Sequence, residues 1–124
     1  MIGLTFDTGA LIALERRKHR MRQILERAVA KDQPITVPAD VVGEWWRGRT
    51  GLREAILEAV DVEPLTVALA KVAGEALATV SGATLVDAVV MASAASRGDV
   101  VYSSDVDDLE KLRHIFPGVR VLRV

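Results

Sequence analysis

The sequence predicts one α/β domain in which helices cover a mostly parallel sheet. Strand-like and helix-like patterns alternate along all 124 residues, and no linker, repeat or low-complexity segment interrupts them. Half of the residues are hydrophobic but only 4% are aromatic, so Ala, Val, Leu and Ile must build the core. That composition is typical of helices packed on a sheet, and parallel strands need the crossover connections that helices supply. We therefore expect a single domain over residues 1–124.

The first half of the chain predicts two strands and three helices. Residues 2–6 are an apolar, strand-like run, and Thr8 can cap the helix that follows. A second helix follows a basic stretch and places its apolar residues between 21 and 29 on one face. Two prolines bracket a short strand at 35–37, which leads into a helix containing residues 41–46.

The second half continues the alternation. A helix is expected at 52–60, followed by a weak strand at 62–65, because Pro64 has no N–H to donate. Gly98 can end a helix in the left-handed conformation. The remaining predicted elements are helices at 66–79 and 84–97, a buried strand at 100–103, a short helix at 109–115 and a closing strand at 119–124.

Composition excludes several classes of site. The chain has no cysteine, which removes disulfides, thiolate metal sites and cysteine nucleophiles. No apolar stretch is long enough to cross a bilayer and no signal-peptide pattern is present, so we expect a cytoplasmic protein without membrane contact. Net charge is −1, yet cations concentrate in residues 11–60 and acids elsewhere. Such asymmetry suits a site that handles a polyanion through a metal ion.

Four acidic residues stand in apolar surroundings: Asp7, Glu44, Asp87 and Asp105. Asp7 and Asp105 each come just after a predicted strand, at the sheet edge where ligands of parallel α/β sheets bind. Carboxylates that face one another are tolerated when a cation neutralises them. Oxygen donors without His or Cys suit Mg²⁺ or Mn²⁺ better than Zn²⁺. The pattern therefore indicates a divalent-metal site.

Each acid also has a local explanation. Asp7 or Thr8 can cap the first helix, Thr84 and Asp87 match a capping box, and Asp105 with Asp108 has N-cap and N3 spacing. Glu44 lies inside a helix, where a solvated glutamate is common. Taken singly, capping is as good an explanation as metal binding; the joint placement of the acids favours a shared site.

Four segments resemble, in order, the PIN-domain ribonucleases and most closely the VapC-type toxins: LTFDTGALIALERR, TVPADVVGEWWRG, GATLVDAVVMASAASRGD and VVYSSDVDDLEKL. The resemblance implies a three-layer α/β/α sandwich. It makes Asp7, Glu44, Asp87 and Asp105 the catalytic, metal-binding quartet, with Asp107 as an additional acid and with Thr8 and Ser103 supporting them. Gly9 stands where a serine is common.

The implied chemistry is hydrolysis of RNA phosphodiester bonds with Mg²⁺ or Mn²⁺. The implied partners are a cognate antitoxin and a second copy of the chain. Trp45 and Trp46 point about 100° apart on a helix, so one of them should be partly exposed and available to a partner groove. The predicted RNA-binding residues are Arg16, Arg17, Lys18, Arg20, Arg47 and Arg49.

Three other interpretations stay open at this point. A nuclease of the same fold could process RNA or cut DNA without an antitoxin. A receiver-like phosphoacceptor module has similar size and alternation, although it requires paired acids after the first strand and a lysine after a late strand. A degenerate fold kept for binding alone is disfavoured by the complete acid set.

Overall fold

The computed structural model describes residues 1–124 and contains five strands and seven helices. The first half comprises β1 (Leu4–Phe6), α1 (Thr8–Glu15), α2 (His19–Ala30), β2 (Ile35–Pro38), α3 (Ala39–Trp45) and α4 (Gly51–Glu58). The second half comprises β3 (Asp61–Glu63), α5 (Val67–Thr79), α6 (Leu85–Arg97), β4 (Val100–Ser103), α7 (Val106–Glu110) and β5 (Arg120–Arg123). The alternation read from the sequence is present throughout.

All five strands are parallel and stand in the order β3-β2-β1-β4-β5. β1 lies at the centre, where Leu4 pairs with Ile35 of β2 and with Val100 of β4. The α/β prediction is confirmed, and the sheet is parallel throughout. A receiver-like module has the order 2-1-3-4-5. The receiver-like interpretation is therefore wrong, because β1 here pairs with β4 and not with β3.

Helices cover both faces of the sheet. On one face Thr5 meets Arg97 of α6, and α5 packs outside α6. On the other face Leu4 lines a groove with Ile24 of α2. Residues 88–94 of α6 are buried without interruption, so α6 is the central helix of the core. No helix is both long and apolar enough to span a membrane.

Helix ends follow the predicted capping chemistry. Thr84 and Asp87 form the complete capping box of α6, and Gly98 ends that helix at a φ of +74°. The hydroxyls of Thr50 and Thr66 accept from the backbone N–H groups of Arg53 and Leu69 and so cap α4 and α5. These caps fix the residues at which the helices begin or end.

Four expectations about elements were wrong. The helix predicted at 109–115 instead spans Val106–Glu110, because Asp105 occupies its N-cap position, and turns follow it. β1 begins at Leu4, since Ile2 is exposed. β3 ends before Pro64, which cannot donate to the ladder. Val29, expected on the apolar face of α2, is 57% exposed. The fully buried residues of that helix are Met21 and Ala28.

Candidate active site

Asp7 directly follows the central strand and begins α1. One carboxylate oxygen accepts from the N–H of Ala10 at 2.9 Å, which caps the helix, and the other accepts a short hydrogen bond from the hydroxyl of Ser103. Burial raises the pKa of Asp7, the bonds from Ser103 and Ala10 partly oppose that rise, and Asp87 and Asp105 add to it. The capping explanation is correct for Asp7, yet this carboxylate also faces other acids without a cation.

Ser103 connects the ends of two neighbouring strands. Its buried hydroxyl donates to Asp7 after β1 and accepts from the N–H of Asp105 at 2.8 Å after β4. Asp105 occupies the N-cap position of α7, but its carboxylate makes no capping bond. The pKa of Asp105 is raised by its hydrogen bond with Asp108, by burial and by the charges of nearby acids. Capping therefore does not account for the Asp105 side chain.

Asp87 and Glu44 reach the same region from two other helices. Asp87 accepts from the N–H of Thr84 at 3.2 Å within the capping box at the start of α6. Glu44, near the end of α3, accepts from the hydroxyl of Thr8 at 2.6 Å. Thr8 thus orients Glu44, and each acid is held by a polar neighbour on the protein.

All four predicted acids line a single cleft of about 300 Å³ at the C-terminal ends of the strands. A fifth acid, Asp108, joins them, whereas Asp107 does not: its side chain is 95% exposed and lies 3.9 Å from Arg123. The structure therefore does not bring Asp107 into the cleft with the other acids. Asp108 is the third residue of its helix and turns back toward the N-cap residue, while the second residue points away. The lining residues are Asp7, Thr8, Gly9, Ile12, Glu44, Thr84, Val86, Asp87, Val90, Ser104, Asp105 and Asp108.

The donor set of the cleft fits a hard divalent cation in chemistry and in charge. Every ionisable side chain that lines it is a carboxylate, which is the ligand type that Mg²⁺ and Mn²⁺ take. Burial raises the pKa of Asp7, and no positive side chain opposes that rise. No group of three or more histidine or acidic side chains already encloses a point where a metal ion could sit. The acids share a cleft, but their side chains do not form a closed coordination shell.

Gly9 allows the two halves of the cleft to approach closely. A Cβ atom at this position would lie 1.9 Å from the hydroxyl oxygen and 2.8 Å from the Cβ of Ser104. The first turn of α1 therefore packs directly against the segment that carries Asp105. The serine common at this position in the resembling family does not fit beside Ser104.

Asp40 is an acid that no sequence pattern singled out. It lies one helical turn before Glu44, and one of its carboxylate oxygens is buried without a hydrogen-bond partner. Burial raises its pKa, and the charge of Glu44 adds to the effect. Asp40 does not line the cleft. The sequence signal that could have found Asp40 is its position four residues before Glu44, which places the two acids on the same side of the helix.

The predicted basic residues separate into two groups. Arg16, Lys18 and Arg20 line a groove that shares Gly9, Ile12 and Ser104 with the acidic cleft. Arg17 has a positive φ of 57° and lines a different groove, beside Leu14 and Ile56. The reversal of the chain between α1 and α2 therefore separates residues that are adjacent in sequence.

The arginines after α3 are occupied locally. Arg47 donates to the carbonyl of Trp46 at 2.7 Å, and Arg49 lies 3.7 Å from Glu54. Neither lines the acidic cleft or the groove beside it. The structure therefore does not bring them together with Arg16, Lys18 and Arg20.

The tryptophan pair divides between core and surface. Trp45 is buried and its indole N–H has no hydrogen-bond partner, while Trp46 is partly exposed and packs edge-on against it at 6.0 Å. Only Trp46 is accessible to a partner.

Comparisons with known proteins give one family and several similar folds. The sequence model of the PIN domain matches residues 4–115. DNA-bound VapBC from Salmonella typhimurium superposes with a TM-score of 0.76 at 15% identity, covering 99% of this chain and 98% of that chain. VapBC2 from Rickettsia felis, bound to a promoter DNA fragment, gives 0.73 at 12% identity with coverages of 100% and 99%. FitAB bound to a DNA fragment gives 0.71 at 16% identity with coverages of 97% and 94%. No curated protein matches the sequence.

Proposed function

This chain belongs to the PIN-domain family, and on that premise we propose that it is a metal-dependent endoribonuclease acting as the toxin of a toxin–antitoxin pair. The observation that carries the proposal is the convergence of five carboxylates on one cleft beside a groove lined by basic residues. An acidic cleft alone repels RNA. A cation held by the acids, together with the adjacent basic groove, gives the substrate phosphates a favourable position.

Asp7, Glu44, Asp87 and Asp105 would hold Mg²⁺ or Mn²⁺, and Asp108 adds charge to the same cleft. Such an ion, when bound, supplies activation of water and stabilisation of negative charge at the phosphate. The hydroxyl of Ser103 donates to the carboxylate of Asp7 and accepts from the backbone N–H of Asp105, which fixes the two residues relative to each other. The hydroxyl of Thr8 donates to Glu44. No histidine or lysine lines the cleft, so no side chain there serves as a neutral base.

An antitoxin partner is supported by the kind of protein that shares this fold. VapBC and FitAB are named as two-component complexes bound to DNA. Trp46 is the proposed partner contact, because it combines a large apolar surface with partial exposure. A homodimer is proposed from the family resemblance, and sedimentation of the purified chain tests it.

The deciding experiment compares cleavage of total RNA by the parent chain and by three Asp→Asn variants. With Mn²⁺ or Mg²⁺ the parent should cleave, and chelator should abolish cleavage. Asp7→Asn and Asp105→Asn should each lose at least about 100-fold in rate, the loss typical of removing one group that stabilises charge in the transition state. Asp107→Asn is the matched control, because this exposed aspartate lies two residues from Asp105 but outside the cleft.

Thermal unfolding gives a second readout that does not require catalysis. Mn²⁺ should raise the melting temperature of the parent and of Asp107→Asn, since ligands that bind only the folded state stabilise it. The increase should be absent in Asp7→Asn. Cleavage that persists in chelator, or an equal loss of activity in all three variants, would contradict the metal-dependent mechanism.

Substrate and partner are tested separately. Cleavage of DNA but not of RNA under the same conditions would replace the proposed substrate. Failure of the product of an adjacent small reading frame to bind and inhibit the chain would favour a PIN nuclease that processes RNA without an antitoxin.

A further inference from the structure

A stripe of basic residues runs along one side of α2. Arg20, Ile24, Arg27 and Lys31 are separated by four, three and four positions, so they lie above one another on the helix surface. Arg20 lines the groove next to the acidic cleft, and the other three line a second groove farther along the helix. At 1.5 Å per residue the stripe extends for about 16 Å. It leads away from the cleft.

β5 supplies a matching second wall. Arg120, Leu122 and Val124 alternate along the strand and therefore point to the same face of the sheet. Val124 lines the first groove, whereas Arg120 and Leu122 line the second. The same two elements thus border both grooves in the same order, so the second groove lies in line with the first although no residue lines both. We call the two grooves together the α2–β5 channel; its far part is lined by Ile2, Leu4, Ile24, Arg27, Lys31, Gln33, Val100, Tyr102, Arg120 and Leu122.

The cations of this channel have no partners on the protein. Arg20, Arg27, Lys31 and Arg120 form no salt bridge, and no acidic side chain lines the far part of the channel. By contrast, Arg49, Arg53 and Arg97 each pair with a carboxylate. A row of unpaired cations beside an acidic cleft is suited to bind successive phosphates of one strand.

The floor of the channel is apolar and contains one half-buried aromatic ring. Tyr102 packs edge-on against Phe6 at 6.0 Å and 88°, which fixes the plane of its ring, and Val100 and Leu122 lie beside it. Apolar and aromatic surface between cations is the combination with which proteins bind single-stranded nucleic acid, because every base has a face that can stack.

We propose that the α2–β5 channel binds the single-stranded RNA that extends from the acidic cleft. Phosphates lie along Arg20, Arg27, Lys31 and Arg120, and a base packs on the floor beside Tyr102. The inference rests on the proposed ribonuclease function and assigns the path that the substrate strand takes beyond the cleft. RNA duplexes are read through their wide, shallow groove and phosphates, and their paired bases cannot reach this floor.

Binding is tested in chelator, where cleavage does not interfere, by fluorescence anisotropy of labelled oligouridylates from about 3 to about 12 nucleotides long. The double variant Arg27→Glu with Arg120→Glu should weaken binding of the longest oligonucleotide at least about tenfold and leave the shortest one nearly unchanged. The salt dependence of its binding should also fall, by about 0.7 for each phosphate that the channel no longer neutralises. Tyr102→Leu should weaken binding of the long oligonucleotide at unchanged salt dependence.

Lys71→Glu with Arg113→Glu is the matched control, because it makes the same change in charge on exposed residues of α5 and of the turn after α7, neither of which lines the channel. Equal binding by the channel variant and the control would overturn the proposal, as would equal affinity of the parent for duplex RNA. Displacement of RNA by decaglutamate at equal concentration would assign the channel to an acidic peptide instead. If the parent binds long RNA in the channel but never cleaves it with Mn²⁺, the proposed ribonuclease function is refuted and the proposed RNA-binding channel is not.

Discussion

Two buried aspartates at opposite ends of the central strands differ in what neutralises them. Asp99 immediately precedes β4 and is 4% exposed; Asp7 immediately follows β1 and is 8% exposed. Asp99 accepts from the guanidinium of Arg97 at 2.9 Å and from the hydroxyl of Thr5 at 2.8 Å. Asp7 accepts only from neutral donors, the N–H of Ala10 and the hydroxyl of Ser103. Arg97 thus neutralises Asp99, whereas no positive side chain contacts Asp7.

Arg97 is the central donor of a polar cluster beneath α6. Besides Asp99, its guanidinium donates to Glu63 at 2.6 Å, to Thr5 at 3.1 Å and to Ser93 at 2.8 Å. The cluster connects α6 to β1, to β3 and to the residue before β4, and one oxygen of Glu63 is buried in it without a hydrogen-bond partner. The comparison indicates that the Arg97 cluster is structural, whereas the acids of the cleft have no positive side chain among them, which supports the proposed cation site.

Removing the cation of the structural cluster should have the largest effect on stability. Arg97→Met leaves Asp99 buried without its charge partner, and we expect a loss of about 3–5 kcal/mol in the free energy of unfolding. Urea denaturation measures it. Arg113→Met, which removes an exposed pair with Glu110, should cost no more than about 1 kcal/mol. Similar losses in the two variants would show that the Arg97 cluster is not a structural centre.

Removing the neutral donor of the cleft should have an intermediate effect. Ser103→Ala leaves one oxygen of Asp7 and the N–H of Asp105 without their partner, and we expect a loss of about 1–3 kcal/mol. Mn²⁺ should recover part of that loss if the cation binds Asp7. A variant as stable as the parent would mean that the Ser103 hydroxyl does not hold the two strand ends together.

Removing the negative charge of Asp7 should have the smallest effect on stability. Unlike the two changes above, it should stabilise the folded chain. Because the pKa of Asp7 is raised above its ordinary value of 3.8, the folded chain retains this proton to a higher pH than the unfolded chain. The contribution of Asp7 to stability should therefore fall as pH rises from about 4 through the raised pKa and then level off. Asp7→Asn keeps the helix cap, so it should match the parent at low pH and exceed it by up to about 1 kcal/mol at neutral pH. Thermal melts across pH measure the difference, and a variant less stable at neutral pH would refute the account.

The order of elements and the meeting of Asp7 with Asp105 could be predicted from the sequence because both follow from topology. Each of these aspartates comes directly after an apolar strand, and parallel strands bring such junctions to one edge. Asp7 and Asp105 therefore meet although most of the chain lies between them. The N-cap and N3 spacing of Asp105 and Asp108 indicated that Asp108 turns toward Asp105, but the predicted helix at 109–115 began three residues too late for this spacing to apply.

The basic residues show why a cluster in sequence is a poor guide to a cluster in space. Arg16 and Arg17 are adjacent but line different grooves, because α1 ends at Glu15 and Arg17 has the left-handed backbone conformation. Arg27, Lys31 and Arg120 are scattered along the chain yet line one channel. The helical spacing from Arg20 to Lys31 was visible in the sequence, but the strand that completes the channel was not assigned to that face.

The central position of β1 determines when the acidic cleft can assemble during synthesis of the chain. Leu4 pairs with Val100, and Asp7 depends on Ser103 for its second hydrogen bond, so the first strand stays incomplete until residues 100–103 have been made. Sheets closed by such distant pairings form slowly. A ribosome translating this message therefore carries no assembled acid cluster until Ser103 and Asp105 have been made.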